Sequence, residues 1–256
     1  MPRRRAWLGA AATVGLAGGL GGCSLLVRPS PIRMDLLHDD QACAATRAPV
    51  LLVLLPGAHM APEEMQREGM VQAVRRRALS VDVVIAHAHL GYVYDRSVMR
   101  RLHDDVIGPA RARGYGRIWM AGISLGGFLA MGYALRHPGQ IEGLVTLAPY
   151  LGRRQILQDI QAAGGPLAWR QTAQPREADD AEHDLWMWLS ARPPETPPIY
   201  LGYGSEDRFA PAHRLMAGLL PAGQVEQASG DHDWPPWRSL WDRWLDRGLL
   251  PTACTA

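Results

Sequence analysis

Residues Val50–Leu55 read VLLVLL, six apolar positions with no polar break. A run this short and continuous predicts a strand buried on both faces. Further strands are expected at Val81–Ala86, Arg117–Ala121, Ile141–Leu147, Pro198–Tyr203 and Gln224–Ala228, with a short one near Ile32–Leu37. Between them lie longer segments that read as helices, at residues 62–79, 95–113, 125–136, 211–220 and 237–247. The first carries Glu63 and Glu64 early and Arg75, Arg76 and Arg77 late, the charge order that a helix macrodipole favours. Strand and helix alternating in this way predict an α/β domain: a mostly parallel central sheet with helices on both faces.

Residues 150–196 break the rhythm. They contain Gly164-Gly165-Pro166, a charged stretch over 176–184, and Trp169, Trp186 and Trp188. The segment is too long for a simple crossover and too apolar in places for a free loop. It is expected to form a small helical cap over the carboxyl edge of the sheet, its tryptophans suggesting an apolar pocket; the other reading is a long crossover with the tryptophans packed on the sheet. The core then comprises residues 47–149 and 197–250.

Composition narrows the picture. The chain has 256 residues, 47% of them apolar, which suits one large domain. A net charge of +2 and a pI near 8.6 leave no footprint for nucleic acid. The N-terminus is different in kind. Arg3, Arg4 and Arg5 precede a short, glycine-rich apolar stretch that ends at Cys23. Residues 1–22 thus read as an export signal, of the general or the twin-arginine type, too short for a comfortable membrane span. Leu20-Gly21-Gly22-Cys23 resembles the bacterial lipoprotein processing box, which implies lipidation of Cys23, a tether over residues 23–46 and attachment to a membrane of the cell envelope. Ser24, in place of an Asp retention mark, points to the outer membrane. Loss of the signal takes the formal charge from +2 to about −1. The remaining cysteines, Cys43 and Cys254, either pair across the two ends of the mature domain or stand as unrelated thiols.

The chemistry is concentrated in Ile118–Gly127, IWMAGISLGG, where a strand gives way to a helix. G-x-S-x-G in that setting is the pattern of a nucleophile elbow, with Ser124 held out on strained backbone. Gly122 and Gly126 are expected because a Cβ at either would collide with the neighbouring turn. A serine hydroxyl needs a base, and the base an orienting acid, in the chain order serine, acid, histidine. Asp207 ends the turn after the strand at 198–203, with Glu206 as its competitor, and His232 follows the last strand. Both positions place them above the sheet edge that carries Ser124. Two backbone donors are needed for an oxyanion: the N–H of Leu125, next to the serine, and that of Ala58 or else His59, in the loop after Val50–Leu55. His87 and His89 make an H-x-H pair with no third ligand to complete a metal site. No metal or cofactor is expected.

Residues 48–247 resemble the α/β-hydrolases, the superfamily of esterases, lipases and serine peptidases. The histidine region, GDHDWPPWRSLW, is similar to that of the esterase D and mycolyltransferase-like group. The resemblance implies the fold and acyl chemistry, and the expectation is a serine hydrolase that cleaves a small carboxylic ester through an acyl-enzyme, with a thioester, an amide or a cell-wall ester left open as the bond cut. An envelope acyltransferase would carry the same triad, and a lipid-anchored binding protein could reuse the scaffold.

Overall fold

In the computed structural model the described residues are 30–40, 43, 48–173 and 180–254. The signal reading of residues 1–22 and the lipidation reading of Cys23 therefore fall outside them, as does most of the tether. Among the described residues seven strands form one sheet: β1 (Leu36–Asp39), β2 (Val50–Leu55), β3 (Val81–Ala86), β4 (Arg117–Ile123), β5 (Gly143–Leu147), β6 (Ile199–Gly204) and β7 (Val225–Ala228). Their spatial order is β1-β3-β2-β4-β5-β6-β7. Among these strands β1 runs antiparallel, against β3, and the other five pairings are parallel.

The apolar runs explain the layering. All six residues of β2 are buried. Leu51, Val53 and Leu55 join one core cluster, while Val50, Leu52 and Leu54 join the other, as alternation across a strand requires. On the first face lie α3 (Leu90–Tyr94), α4 (Val98–Arg101), α5 (Gly108–Ala112), α6 (Leu125–Arg136) and, between β5 and β6, α7 (Arg154–Ala162), α8 (Pro166–Thr172) and α9 (Ala181–Ala191); α10 (Ala210–Ala217) packs there too. On the second face lie α1 (Pro62–Arg67), α2 (Met70–Arg76) and α11 (Trp234–Asp246). Among the described residues no helix is long and apolar enough to cross a membrane.

Two expected helices are divided. The one expected over 62–79 breaks at Gly69, whose φ of 86° ends α1 and opens α2. That expected over 95–113 starts earlier, turns at Arg96 (φ 59°), and passes through a π-helical stretch at Leu102–Ile107. The wide turns lie just before Pro109, whose ring cannot donate an N–H and would press on the carbonyl four residues back. The first strand also starts four residues later and ends two later than expected, at Leu36–Asp39. It covers the edge of β3, with Leu36 opposite Ala86.

The cap tryptophans do not line the two cavities at Ser124. Trp169, Trp186 and Trp188 are all buried in the first core cluster, and the Trp186 indole N–H donates to the Leu151 carbonyl at 2.7 Å. That bond gives the buried indole a polar partner inside the core. Cys43 and Cys254 form a disulfide with Cα atoms 6.0 Å apart, joining the segment before β2 to the chain after α11.

Candidate active site

The chain leaves β2 toward β3 on one side and returns to β4 on the other. The carboxyl ends of β2 and β4, paired in register at Leu55 and Gly122, therefore form a switch point at which two loops diverge and leave a crevice. The loop after β2 carries Gly57, Ala58 and His59, and that after β4 carries Ser124.

Ser124 has φ 51° and ψ −113°, a strained setting for a non-glycine residue, and α6 begins at the next position. Its backbone is over-determined. The Ser124 N–H donates to the Leu147 carbonyl at 2.9 Å, and the Ser124 carbonyl accepts from the N–H groups of Gly127, Phe128 and Tyr150. The glycines have the steric reason expected of them. A Cβ on Gly122 would lie 2.2 Å from the Gly126 carbonyl carbon, and one on Gly126 would lie 2.0 Å from the Leu55 oxygen. The sharp turn thus exists because β4 and α6 approach until only glycine fits.

Asp207 and His232 meet although 25 residues separate them: His232 Nδ1 lies 2.7 Å from Asp207 Oδ2. Nδ1–H donates to the carboxylate, which leaves Nε2 for the cleft. The Asp207 side chain is fully buried. Burial pushes its pKa up, but the hydrogen bonds from His232 and from the Phe209 N–H, and the nearby imidazoles, more than offset this and leave it below the usual carboxylate range. Glu206 points elsewhere: its carboxylate takes the N–H of Gly230 and the hydroxyl of Ser205. A Cβ on Gly204 would lie 2.2 Å from the Gly230 oxygen, so the β6 and β7 loops pack closely enough to bring acid and histidine together. The imidazole of His232 stands edge-on to Phe209 and Trp237, each at 5.0 Å between ring centres. Those two rings fix its orientation.

Ser124 and His232 line the same cleft of about 340 Å³, together with Ala58, Trp234 and Trp237. Ser124 also borders a second, larger cavity of about 780 Å³. Its walls are Leu90, Val93, Leu125, Phe128 and Phe209 on the apolar side, and Tyr150, Arg153 and Glu182 on the polar one. Ala58 and Leu125, the expected oxyanion donors, both border this cavity beside Ser124. As the first residue of α6, Leu125 has an N–H with no acceptor within the helix. His59 borders the same cavity.

His87 and His89 are buried at a smaller hollow next to the Ala58 loop. His89 caps α3 by accepting from the Gly91 N–H at 3.0 Å. Among the described residues no group of three or more His, Cys, Asp or Glu is placed to hold a metal ion.

Sequence reasoning missed the ring cage of His232 and the network in which Glu182 accepts from the Tyr150 hydroxyl at 2.7 Å and pairs with Arg153 at 2.8 Å. Phe209, two residues from Asp207, was within reach of a local argument. The network was not, because its members come from distant segments.

Comparison with protein-family models matches residues 85–244 to the Esterase family. Comparison with curated proteins gives no match. Among solved structures, the chain is similar to the S-formylglutathione hydrolase FrmB of Staphylococcus aureus, at 17% identity and a TM-score of 0.59, covering 87% of this chain and 98% of that one. It is similar to the fluorophosphonate-binding serine hydrolase FphF of the same organism, at 17% identity and 0.55, covering 84% and 91%. A ferulic acid esterase aligns at 13% identity and 0.53, covering 83% and 97%. These likenesses are likenesses of fold.

Proposed function

Since the chain belongs to the Esterase family, within the α/β-hydrolase superfamily, we propose that it cleaves a carboxylic ester with Ser124, His232 and Asp207 as its triad. His232 Nε2 takes the proton of the Ser124 hydroxyl as Oγ attacks the ester carbonyl. The N–H groups of Ala58 and Leu125 hold the oxyanion, each donor contributing on the order of 3 kcal/mol to lowering the barrier. His232 then protonates the departing alcohol, leaving an acyl-enzyme on Ser124. Water, deprotonated by the same imidazole, releases the acid and restores the serine. Asp207 keeps Nδ1 protonated and stabilises the imidazolium that forms in each half-reaction.

One observation carries the reading. A serine on strained backbone and a histidine tied to a buried carboxylate border a single cleft. Ser124→Ala is expected to fold as the parent does, by circular dichroism and thermal melting, and to lose turnover of p-nitrophenyl esters together with labelling by a fluorophosphonate. Retained turnover would remove Ser124 from the nucleophile role.

We read residues 1–22 as an export signal and Cys23 as the lipidated residue, which puts the domain at the outer membrane of a bacterial envelope. The Cys43–Cys254 disulfide supports an oxidising compartment. Mass spectrometry of the membrane fraction tests this: a mature chain starting at an acylated Cys23 is expected.

A further inference from the structure

The two cavities meet at four shared residues: Ala58, His59, Ser124 and Arg208. Arg208 is thus the arginine at the point where acyl and alcohol parts of a substrate would diverge. The other charged side chains around these cavities have protein partners. Arg153 pairs with Glu182 and Asp180. Glu64 accepts from the Trp234 indole N–H at 2.9 Å. The Asp233 side chain caps α11 by accepting from the Trp234 N–H. Arg208 is different: among the described residues its guanidinium has no ion pair or hydrogen bond, and it lies over the Phe209 ring at 4.8 Å from the centroid.

Its backbone is not loose. Asp207 is buried and held by His232, and the next N–H beyond Arg208, that of Phe209, donates to Asp207 Oδ1 at 2.8 Å. Phe209 in turn packs edge-on against His232. The guanidinium is therefore presented from a turn held by these bonds, stacked on a ring that packs against the histidine. An arginine over an aromatic face keeps its planar fork of donors free, and that fork matches a carboxylate or phosphate in bidentate fashion.

Resting on the triad reading above, we propose that Arg208 is a specificity-determining residue that selects esters bearing a carboxylate or phosphate close to the scissile bond. The anion displaces water from the guanidinium and fixes the carbonyl over Ser124. It forms no covalent bond to the protein and leaves the proton transfers of the triad unchanged.

The test compares matched ester pairs with and without the anion. On the acyl side, the p-nitrophenyl ester of hexanoate is set against the p-nitrophenyl monoester of adipate. On the alcohol side, the hexanoyl ester of phenol is set against that of 4-hydroxybenzoate. The measured quantity is the ratio of kcat/KM for the anionic over the neutral member of each pair. In one pair or the other, Arg208→Ala is expected to lower this ratio about tenfold or more, the worth of one charge-assisted hydrogen bond. Arg208→Lys is expected to keep part of it, since the charge stays and the fork is lost. The pair that responds tells which side of the substrate carries the anion. An active Arg208→Ala protein with both ratios within twofold of the parent overturns the proposal and leaves the triad standing. A parent protein that hydrolyses neither neutral ester and takes no fluorophosphonate label overturns the triad reading, and this one with it.

Discussion

His213 has no exposed surface and sits two contacts from the nucleophile. Its Nε2–H donates to the Pro149 carbonyl at 2.9 Å, and the next residue, Tyr150, gives its N–H to the Ser124 carbonyl at 2.9 Å. Burial pulls the imidazole pKa from 6.5 down to about 4; the Pro149 carbonyl and Asp207 push the other way, and His232 and Arg214 add to the lowering. The folded protein thus keeps His213 neutral where the unfolded chain would protonate it. Stability is fully present above pH 6.5 and is lost as pH falls toward 4, by about 3 kcal/mol for this one group. Gln in its place keeps a donor and does not titrate. His213→Gln is therefore expected to flatten the acid limb of a denaturation-midpoint-against-pH curve over that interval; an unchanged slope would assign the acid sensitivity to other groups. Nothing around His213 in the sequence announced this role, which depends on a carbonyl 64 residues away. Ser124 was legible, because a serine between glycines at a strand end has few other uses.

At the scale of elements, the unit that matters is β4, the elbow and α6. Its geometry is dictated by contact of backbone with backbone: a Cβ on Gly126 would meet the Leu55 oxygen at 2.0 Å. No side chain can rotate out of the way. Gly126→Ala is expected to lower stability by about 3 kcal/mol or more and to abolish ester turnover. Gly223→Ala, where a Cβ meets nothing within 4 Å, should change neither measurably. Equal melting temperatures for the two variants would contradict this account. The elements themselves were legible unevenly. β2 and β3 match their expected bounds residue for residue: β2 is an unbroken apolar run, as a strand buried on both faces writes itself, and β3 is interrupted only by the buried Asp82. The helices between β3 and β4 were less so. A π-helical stretch before Pro109 and a left-handed Arg96 leave no periodic mark, because they are local accommodations to packing.

For the whole molecule, the ends are tied together. The Cys43–Cys254 bridge closes a span of 211 residues, nearly the entire domain. In the chain-entropy description, closing so long a loop restrains the unfolded state by about 5 kcal/mol. Reduction, or Cys43→Ser with Cys254→Ser, is expected to lower the melting temperature by several degrees while esterase activity at low temperature persists, since the bridge lies apart from the cavities around Ser124. A melting curve unaffected by reductant would remove the bridge from the list of stabilising features. By itself the sequence determined the alternation of strands and helices, and from it the parallel sheet. It also held the elbow pattern and the chain order of serine, acid and histidine. These are local or ordered along the chain, so a one-dimensional reading reaches them. Only the tertiary structure decided that Asp207, not Glu206, faces His232, that the cap tryptophans fill the core rather than the pocket, that Cys43 meets Cys254, and that Arg208 stands between two cavities. Each of these turns on which surfaces the closed sheet brings within a few ångströms, and direct contact between distant segments has no signature until the chain has folded.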